Sequence, residues 1–290
     1  MDAAGNDTRA QDFMCGERTY NGHTGIDIAI RDLKAAQNGV DVIAPADGRV
    51  VYLREDVVDK IVTPDEQMTS CGNALVLLHD SGWETRYCHL KENSITVKRR
   101  EQVKAGQKIA ELGLSGATSW PHLAFSVLRN GEFHDPFTGR TSREGCGLTP
   151  KSLWANEAKH KYHPFSIFNV GFSDKPIDPA KVDLGTLVKP IQLPTSSQAL
   201  HFYASAFGTK DGDTVKLLVK DPRGIEMIDE FMILDTTENK AFFTASYERG
   251  KGVFEAGIYE GIVTLERGAG DSKKTNRWRR LIEFVDVESE

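Results

Sequence analysis

Short extended segments separated by turn residues dominate this sequence and restrict the chain to a mainly β fold. The stretch NALVLLHDSGWETRYCHL places two apolar segments around Asp80-Ser81-Gly82, which predicts a β-hairpin. Comparable pairs of segments flank Asp47-Gly48 in DVIAPADGRVVYL, Gly106 in SITVKRREQVKAGQKIAEL and Asn130-Gly131 in HLAFSVLRNGEFHDPF. We therefore predict antiparallel β-sheet as the frame of the N-terminal half.

A second series of strand-like segments begins near Ser166. The segments ALHFYASAF, DTVKLLVKDP, AFFTASYE, GIYEGIVTLER and RRLIEFVDV are separated by Gly, Asp and Pro turns, a spacing typical of a small antiparallel sandwich. Its aromatic side chains are expected mainly in the core, with a ligand groove as the alternative. A chain of 290 residues accommodates two domains, and we place them at residues 1–165 and 166–290, the second an immunoglobulin-like β-sandwich.

One segment alone predicts a helix. It is TPKSLWANEAKHKY, in which Thr149 can cap the N-terminus and Pro150 can occupy the first helical position. The sequence contains no internal repeat and no low-complexity segment.

Composition excludes several function classes. The net charge of -6 argues against a general nucleic-acid-binding protein, because phosphate binding requires a basic surface. No apolar run is long enough for a transmembrane helix. The first residues, MDAAGNDTRAQDF, have no basic region followed by an apolar core, so they do not form a signal peptide.

Four cysteines, an even number, favour two disulfides in an oxidising compartment. Zinc binding by cysteine is the alternative, but the close Cys-x-x-Cys pairs that it favours do not occur. Cys71 and Cys88 flank the Asp80-Gly82 turn and can pair if the strand bulges. Cys15 would then pair with Cys146, while a free Cys88 thiol stays open as the alternative. Disulfides indicate a periplasmic or secreted protein.

A small set of imidazole and carboxylate side chains forms the candidate site. His23 and Asp27 lie four residues apart beside Gly22 and Gly25, and could converge on one zinc ion. His89 and His122 lie at the ends of strand-like segments and suit general-base and oxyanion-stabilising roles. Any one histidine alone is more often structural, and we assign His79, His134, His160, His163 and His201 to that class.

Together these motifs resemble the lysostaphin/LytM-type zinc metallopeptidases. The resemblance covers roughly residues 15–140 and includes His23-x-x-x-Asp27, the Tyr87-Cys88-His89-Leu90 motif and PHLAFSV followed by DPF. It implies a β-sheet peptidase that cuts peptide cross-links of bacterial peptidoglycan. It also implies that His23 and Asp27 bind Zn²⁺ and that His89 and His122 are catalytic.

Ala124 departs from the family pattern. The family motif is His-x-His, and its second histidine, the third zinc ligand, corresponds to Ala124. Alternate residues of a strand share a face, so Ala124 would point into the same site as His122. Alanine has no lone pair, and a catalytic zinc normally has three protein ligands. We therefore expect weak or absent zinc binding and an inactive or strongly impaired enzyme, with Ala124 either natural or introduced.

Two other protein classes with similar strand patterns fit the sequence less well than the peptidase. A biotin or lipoyl carrier requires an exposed lysine at a hairpin tip, and AELGLSGATS has none. A sugar-phosphotransfer domain would not explain the pair His23 and Asp27. A natural pseudoenzyme that binds cell wall or regulates another hydrolase remains the alternative. The expected partners are peptidoglycan peptides, together with a protein partner for the C-terminal domain, and no nucleic acid.

Overall fold

The structure is a computed structural model, and it describes residues 1–3, 10–61, 71–147, 151–155 and 162–286. The chain divides into two compact units, Met1–Tyr162 and His163–Glu290. Both consist mainly of antiparallel β-sheet, as predicted. Over the described ranges, no helix has the length and apolar character needed to cross a membrane.

The first unit is built on a seven-stranded antiparallel sheet. Its strands run in the order β1-β8-β5-β4-β3-β6, and β9 pairs with β8, while β2 and β7 form a separate pair. The elements are β1 (Ile26–Ala29), α1 (Leu33–Gln37), β2 (Asp41–Ile43), β3 (Gly48–Arg54), β4 (Asn73–Leu78), β5 (Trp83–Leu90), β6 (Gln102–Val103), β7 (Lys108–Glu111), β8 (His122–Arg129) and β9 (Glu132–His134).

The predicted turns connect these strands. Asn130 and Gly131 join β8 to β9 with φ angles of 50° and 83°, a conformation that favours asparagine and glycine. The connection between β4 and β5 is a short 3-10 turn, Asp80–Gly82. These two turns join antiparallel neighbours and set the register of strands that carry the candidate site. The segments that flank Asp47-Gly48 and Gly106 are strands but not hairpin partners, because β2 pairs with β7 and β3 with β4 and β6.

Alternation along β1 and β8 separates a core face from a site face. Ile26 pairs with Phe125 and Ile28 with Leu123; Leu123 and Phe125 belong to the hydrophobic core and Ile26 packs against it, whereas Ile28 is exposed. Asp27, between the two isoleucines, faces the opposite side of the sheet. The core also contains Val50, Leu75, Leu77, Tyr87, Leu90 and Ile109, all at most 1% exposed.

The helical prediction is wrong where the structure describes it. Residues 151–155 of the segment predicted as a helix contain no helical turn, and residues 149–150 and 156–161 lie outside the described residues. Two short helices were not predicted: α1, and α2 (Pro179–Leu184) in the second unit. Both begin at an aspartate whose side chain accepts a backbone N–H, Asp32 and Asp178. Such short helices show no apolar periodicity, so the aspartate at the N-cap was the sequence feature that could have predicted them.

The second unit consists of two sheets that share one hydrophobic core. One sheet has the order β10-β12-β15 and the other β11-β17-β16-β13-β14, with β11 parallel to β17. The strands are β10 (Ser166–Ser173), β11 (Gln192–Pro194), β12 (Ala199–Thr209), β13 (Thr214–Lys220), β14 (Glu226–Ile233), β15 (Glu238–Glu248), β16 (Gly257–Arg267) and β17 (Lys274–Val285). β14 was not predicted, because its acidic residues interrupt the apolar alternation.

The aromatic residues of the second unit divide between core and surface. Phe202 and Tyr203 are fully buried and Phe243 is nearly so, as expected of a sandwich core. Trp278, on β17, is 43% exposed instead.

Candidate functional site

The structure brings His23 and Asp27 together at the start of β1. His23 Nε2 lies 3.1 Å from Asp27 Oδ1. The Tyr20 ring stacks on the His23 imidazole, with centroids 4.3 Å apart. Gly25 permits this path, because a Cβ there would lie 2.5 Å from the Phe125 carbonyl oxygen of β8. The glycine beside the motif therefore serves close packing of β1 against β8.

His122 reaches the same carboxylate from β8. Its Nε2 lies 3.6 Å from Asp27 Oδ1, and its Nδ1 donates to the Trp120 carbonyl oxygen at 2.8 Å. The Trp120 indole N–H donates in turn to the Ile30 carbonyl oxygen at 2.9 Å. These bonds tie the start of β8 to the end of β1 and fix the His122 ring beside Asp27.

His89 completes the group from β5. Its backbone is left-handed, with φ of 59°, and its N–H donates to the Cys71 carbonyl oxygen at 2.9 Å. Its Nδ1 donates to the Ser115 carbonyl oxygen at 2.8 Å. The imidazole is buried, 4.6 Å from the His122 ring between centroids. A positive φ is uncommon outside glycine, so the surrounding contacts must hold this conformation.

His89 and His122 bond a main-chain carbonyl oxygen through the same ring nitrogen. A carbonyl oxygen only accepts hydrogen bonds, so Nδ1 of His89 and Nδ1 of His122 each carry a proton. When each ring is neutral, its Nε2 holds a free lone pair. The pair can therefore accept a proton, or donate a hydrogen bond once protonated.

Burial and charge set the protonation of the group. Burial lowers the pKa of His89 below its usual value, and repulsion from His122 lowers it further, against the opposing hydrogen bond to Ser115. Burial alone would raise the pKa of Asp27, but the hydrogen bond from His23 and the nearby imidazoles lower it overall. Asp27 is thus held as a carboxylate and His89 as a neutral base.

A buried polar network that was not predicted supports His89. Ser115 and Asn73 are fully buried. Ser115 Oγ accepts from the Asn73 N–H at 2.8 Å and donates to the Leu90 carbonyl oxygen at 2.7 Å. The Asn73 amide also exchanges hydrogen bonds with the backbone of Val57. Isolated polar residues produce no periodic pattern in the sequence. The available signal was that Asn73 and Ser115 each lie next to a glycine, in CGN and LSG, where a buried turn could need a side-chain hydrogen bond.

Ala124 faces the site and provides no metal donor, so the site has two potential donors and lacks a third. It pairs with Asp27 on one side and with Cys88 on the other, so the three share a face of the sheet. His23 and Asp27 supply two donors suited to zinc, whereas a catalytic zinc site uses three. In the described part of the chain, no three His, Cys, Asp or Glu side chains are grouped to hold a metal ion. The residues present therefore do not fit a catalytic zinc ion.

Two disulfides lie in this unit, with the pairings that the cysteine spacing favours. Cys71 bonds to Cys88 and Cys15 bonds to Cys146, and neither bond leaves a free thiol among the described cysteines. The register of β4 against β5 shifts between Asn73 and Leu75, which is the bulge that the first bond requires. This bond lies next to His89 and joins the two segments that hold its backbone.

The other described histidines with visible partners have structural contacts. His79 bonds to the Asp47 carbonyl oxygen and to Thr85. His134 bonds to the Gly139 carbonyl oxygen, and His201 to Ser246. His160 lies outside the described residues.

Comparison with known proteins identifies the first unit. Residues 21–136 match the model of peptidase family M23. The peptidoglycan DD-endopeptidase ShyB of Vibrio cholerae is 37% identical over 106 residues, which cover 37% of this chain and 20% of ShyB. The murein hydrolase activator NlpD of Escherichia coli is 33% identical over 115 residues, 40% of this chain and 25% of NlpD. The chain thus spans a quarter or less of each of these relatives.

Among solved structures, the catalytic domain of lysostaphin from Staphylococcus simulans is 27% identical. The match covers 40% of this chain and 78% of that domain, with a TM-score of 0.30. The segment matched to the family contains His23, Asp27, His89, His122 and Ala124. This chain therefore contains a peptidase M23 domain of the LytM and lysostaphin type.

Proposed function

We propose that the first unit binds peptidoglycan peptides in the groove formed by His23, Asp27, His89 and His122, and that it cleaves them poorly or not at all. One observation carries this proposal: Asp27 lies opposite Ala124, where a third metal donor would have to stand. The family supports a peptide substrate, and the histidine geometry supports chemistry at a peptide carbonyl. The activity itself is that of an endopeptidase acting on cross-links, strongly impaired in this chain.

The remaining side chains retain defined roles in this proposal. His89 and His122 each bond a carbonyl oxygen through Nδ1, which leaves Nε2 to hold or accept a proton and to stabilise an oxyanion when it carries one. Asp27 supplies a fixed negative charge beside them. A substrate can therefore be bound and oriented although the metal donor set is incomplete.

Digestion of purified peptidoglycan tests the proposal. The chain with Ala124, called the wild type from here on whatever the origin of that residue, and Ala124→His are each incubated with zinc and with peptidoglycan of several cross-link types. Released peptides are separated by chromatography. We expect release by Ala124→His, abolished by a chelator, and little or none by the wild type. Ala124→Leu, which adds bulk without a donor, is the matched control. A folded, zinc-loaded Ala124→His without activity on any peptidoglycan contradicts the endopeptidase proposal.

A natural pseudoenzyme that regulates another hydrolase is the second candidate. Two observations favour it. The histidine rings are fixed by hydrogen bonds although Ala124 provides no metal donor, and one relative is a murein hydrolase activator. Adding the wild-type chain to a cell-wall amidase and measuring the rate of sugar–peptide cleavage tests it. A rate increase that persists with Ala124→Leu supports regulation, and an unchanged rate excludes it for that amidase.

The disulfides and the family support a location outside the cytoplasm. Both bonds persist only under oxidising conditions, as in the periplasm or after secretion. Peptidoglycan lies in the same place, so the proposed substrate and the redox requirement agree. Fractionation of cells that produce the full-length protein would locate it.

A further inference from the structure

Two strands of the five-stranded sheet in the second unit carry opposite charges: β14, which is an outer strand, and β17, whose outer neighbour β11 covers only its last residues. Residues 273–280, at the start of β17, contain five cationic side chains and no acidic one: Lys273, Lys274, Arg277, Arg279 and Arg280. Residues 226–235, covering β14 and the following turn, contain four acidic side chains and no basic one: Glu226, Asp229, Glu230 and Asp235. The sheet therefore has a basic edge and an acidic edge.

Both edges expose backbone hydrogen-bonding groups. Within the described residues, β14 pairs with β13 alone, which leaves its outer side open. β17 pairs with β16 along its length, but with β11 only over its last residues, Glu283 to Val285. The Asn276 side chain accepts from the Ile167 N–H, so the open part of β17 begins after it. Residues 277–281 are all exposed, as expected of a free strand edge.

The basic edge has cations in excess of its partners. Lys273 pairs with Glu266 at 2.7 Å, and Arg279 pairs with Glu260. Arg277 and Arg280 form no ion pair with any described residue, and exposed Trp278 lies between them in sequence. This edge therefore presents positive charge together with an aromatic surface.

The acidic edge has more acidic side chains than cationic partners for them. Asp229 pairs with Lys216 at 2.7 Å and Glu226 with Lys220 at 3.4 Å. Glu230 forms no ion pair over the described ranges of the chain, and neither does Asp235. Phe231 and Ile233 on the same strand are 61% and 66% exposed. This edge thus has the charge opposite to that of the basic edge, and like the basic edge it exposes apolar surface.

Strand direction decides which edges can meet. β14, β13, β16 and β17 are antiparallel in succession, so β14 and β17 run in opposite directions. A second copy added in the same orientation presents its β14 antiparallel to β17 and continues the alternation of the sheet. Pairing of β17 with β17, or of β14 with β14, would instead bring like charges together, which is destabilising.

We propose that the basic β17 edge of one copy of this chain pairs with the acidic β14 edge of a second copy. The contact is head to tail, so repetition produces a ring if the rotation closes and a filament if it does not. Backbone hydrogen bonds and ion pairs form together at the edge. A single strand edge is a small interface, so the association is weak and sensitive to salt.

Sedimentation of the full chain tests the proposal with charge-reversed edges. The wild type is expected to associate as its concentration rises, and to dissociate when salt is added. Arg277→Glu with Arg280→Glu leaves three cations and two acids on the basic edge, so its formal charge falls from +5 to +1. Glu230→Lys with Asp235→Lys leaves two acids and two cations on the acidic edge, so its formal charge rises from −4 to 0. Each double variant alone has lost most of the attraction between its edges and should be monomeric. An equimolar mixture of the two variants restores opposite edges and should associate again.

Controls separate edge pairing from general charge effects. Lys175→Glu with Lys251→Glu changes two exposed lysines outside both edges by the same total charge, and should associate like the wild type. Circular dichroism checks that each variant is folded. A wild type that stays monomeric at every concentration overturns the proposal, as does a mixture that fails to associate. Retention of a monomeric wild type on an anionic polymer, lost in the arginine variant, would assign the β17 edge to polyanion binding instead.

Discussion

Asp27 lies directly opposite Ala124 in the antiparallel pair formed by β1 and β8. Directly opposed residues have Cβ atoms about 4.5–5.5 Å apart, so a longer side chain at position 124 reaches the space beside the Asp27 carboxylate. The same face carries His122 two residues earlier. One side-chain position thus separates the observed site from one with three donors.

Zinc affinity should rise sharply in Ala124→His. Even the loss of a hydrogen-bonding partner of a metal ligand changes affinity by about 10–100-fold, so adding a direct ligand should strengthen binding by more than about 100-fold. Competition with a chromogenic chelator measures the dissociation constant of wild type and variant. His23→Ala placed in the Ala124→His background should reverse the gain. Equal affinities of wild type and Ala124→His would show that position 124 does not contribute to the metal site.

The stability of the first unit should fall as acid titrates His89. The folded pKa of His89 is lowered by burial and by His122, whereas the unfolded value is near 6.5. The folded state therefore binds fewer protons, and stability decreases as pH falls through about 6.5 toward the lowered pKa. In His89→Gln this contribution is absent, so the free energy of unfolding should vary less between about pH 5 and 8. Urea unfolding at several pH values measures this. An equal change of the free energy of unfolding with pH in the wild type and in His89→Gln would contradict the prediction.

Removing the Cys71–Cys88 bond should both destabilise the first unit and disturb His89. The bond closes a loop with a sequence separation of 17, for which the chain-entropy model gives about 3 kcal/mol. The Cys71 carbonyl also holds the left-handed His89 backbone. Cys71→Ser with Cys88→Ser should therefore lower Tm and shift the His89 imidazole resonances in NMR. Cys15→Ser with Cys146→Ser is the control, expected to lower Tm while leaving those resonances nearly unchanged.

Asn73→Ala should destabilise the first unit without removing any residue of the groove. The change leaves the partly buried Val57 N–H without its acceptor and removes a donor from the buried Leu90 carbonyl oxygen. An unsatisfied buried group costs about 1–3 kcal/mol, and we expect a loss in that range. Urea unfolding measures it, and Gln102→Ala on the exposed side of β6 should change stability by less than about 0.5 kcal/mol. Equal effects of the two changes would contradict a supporting role for Asn73.

Local patterns predicted much of the fold, and the reasons for the exceptions are physical. Turn residues such as Asn130 and Gly131 fix the backbone within a few residues, so the hairpins were predictable. Alternation alone placed His122 and Ala124 on one face. The pairing of β1 with β8 joins segments that are distant in sequence, and no local pattern encodes that contact. Resemblance to a family supplied the site residues that periodicity could not.

The missed features share a different cause. Asn73 and Ser115 are isolated polar residues whose importance comes entirely from burial. β14 was missed because its acidic side chains belong to an exposed edge, where apolar alternation is not required. Sequence patterns report faces that are buried, and they say little about polar contacts inside loops or about edges open to solvent.

The partners that orient His89 and His122 are main-chain carbonyl oxygens, of Ser115 and Trp120. Every amino acid provides such an oxygen, so no single codon change can delete either acceptor. A metal donor is a side chain, and one codon change at position 124 is enough to remove or restore it. The two components of the proposed site therefore differ in mutational robustness: a metal donor depends on the residue at a single position, while the alignment of its imidazoles is inherited with the backbone.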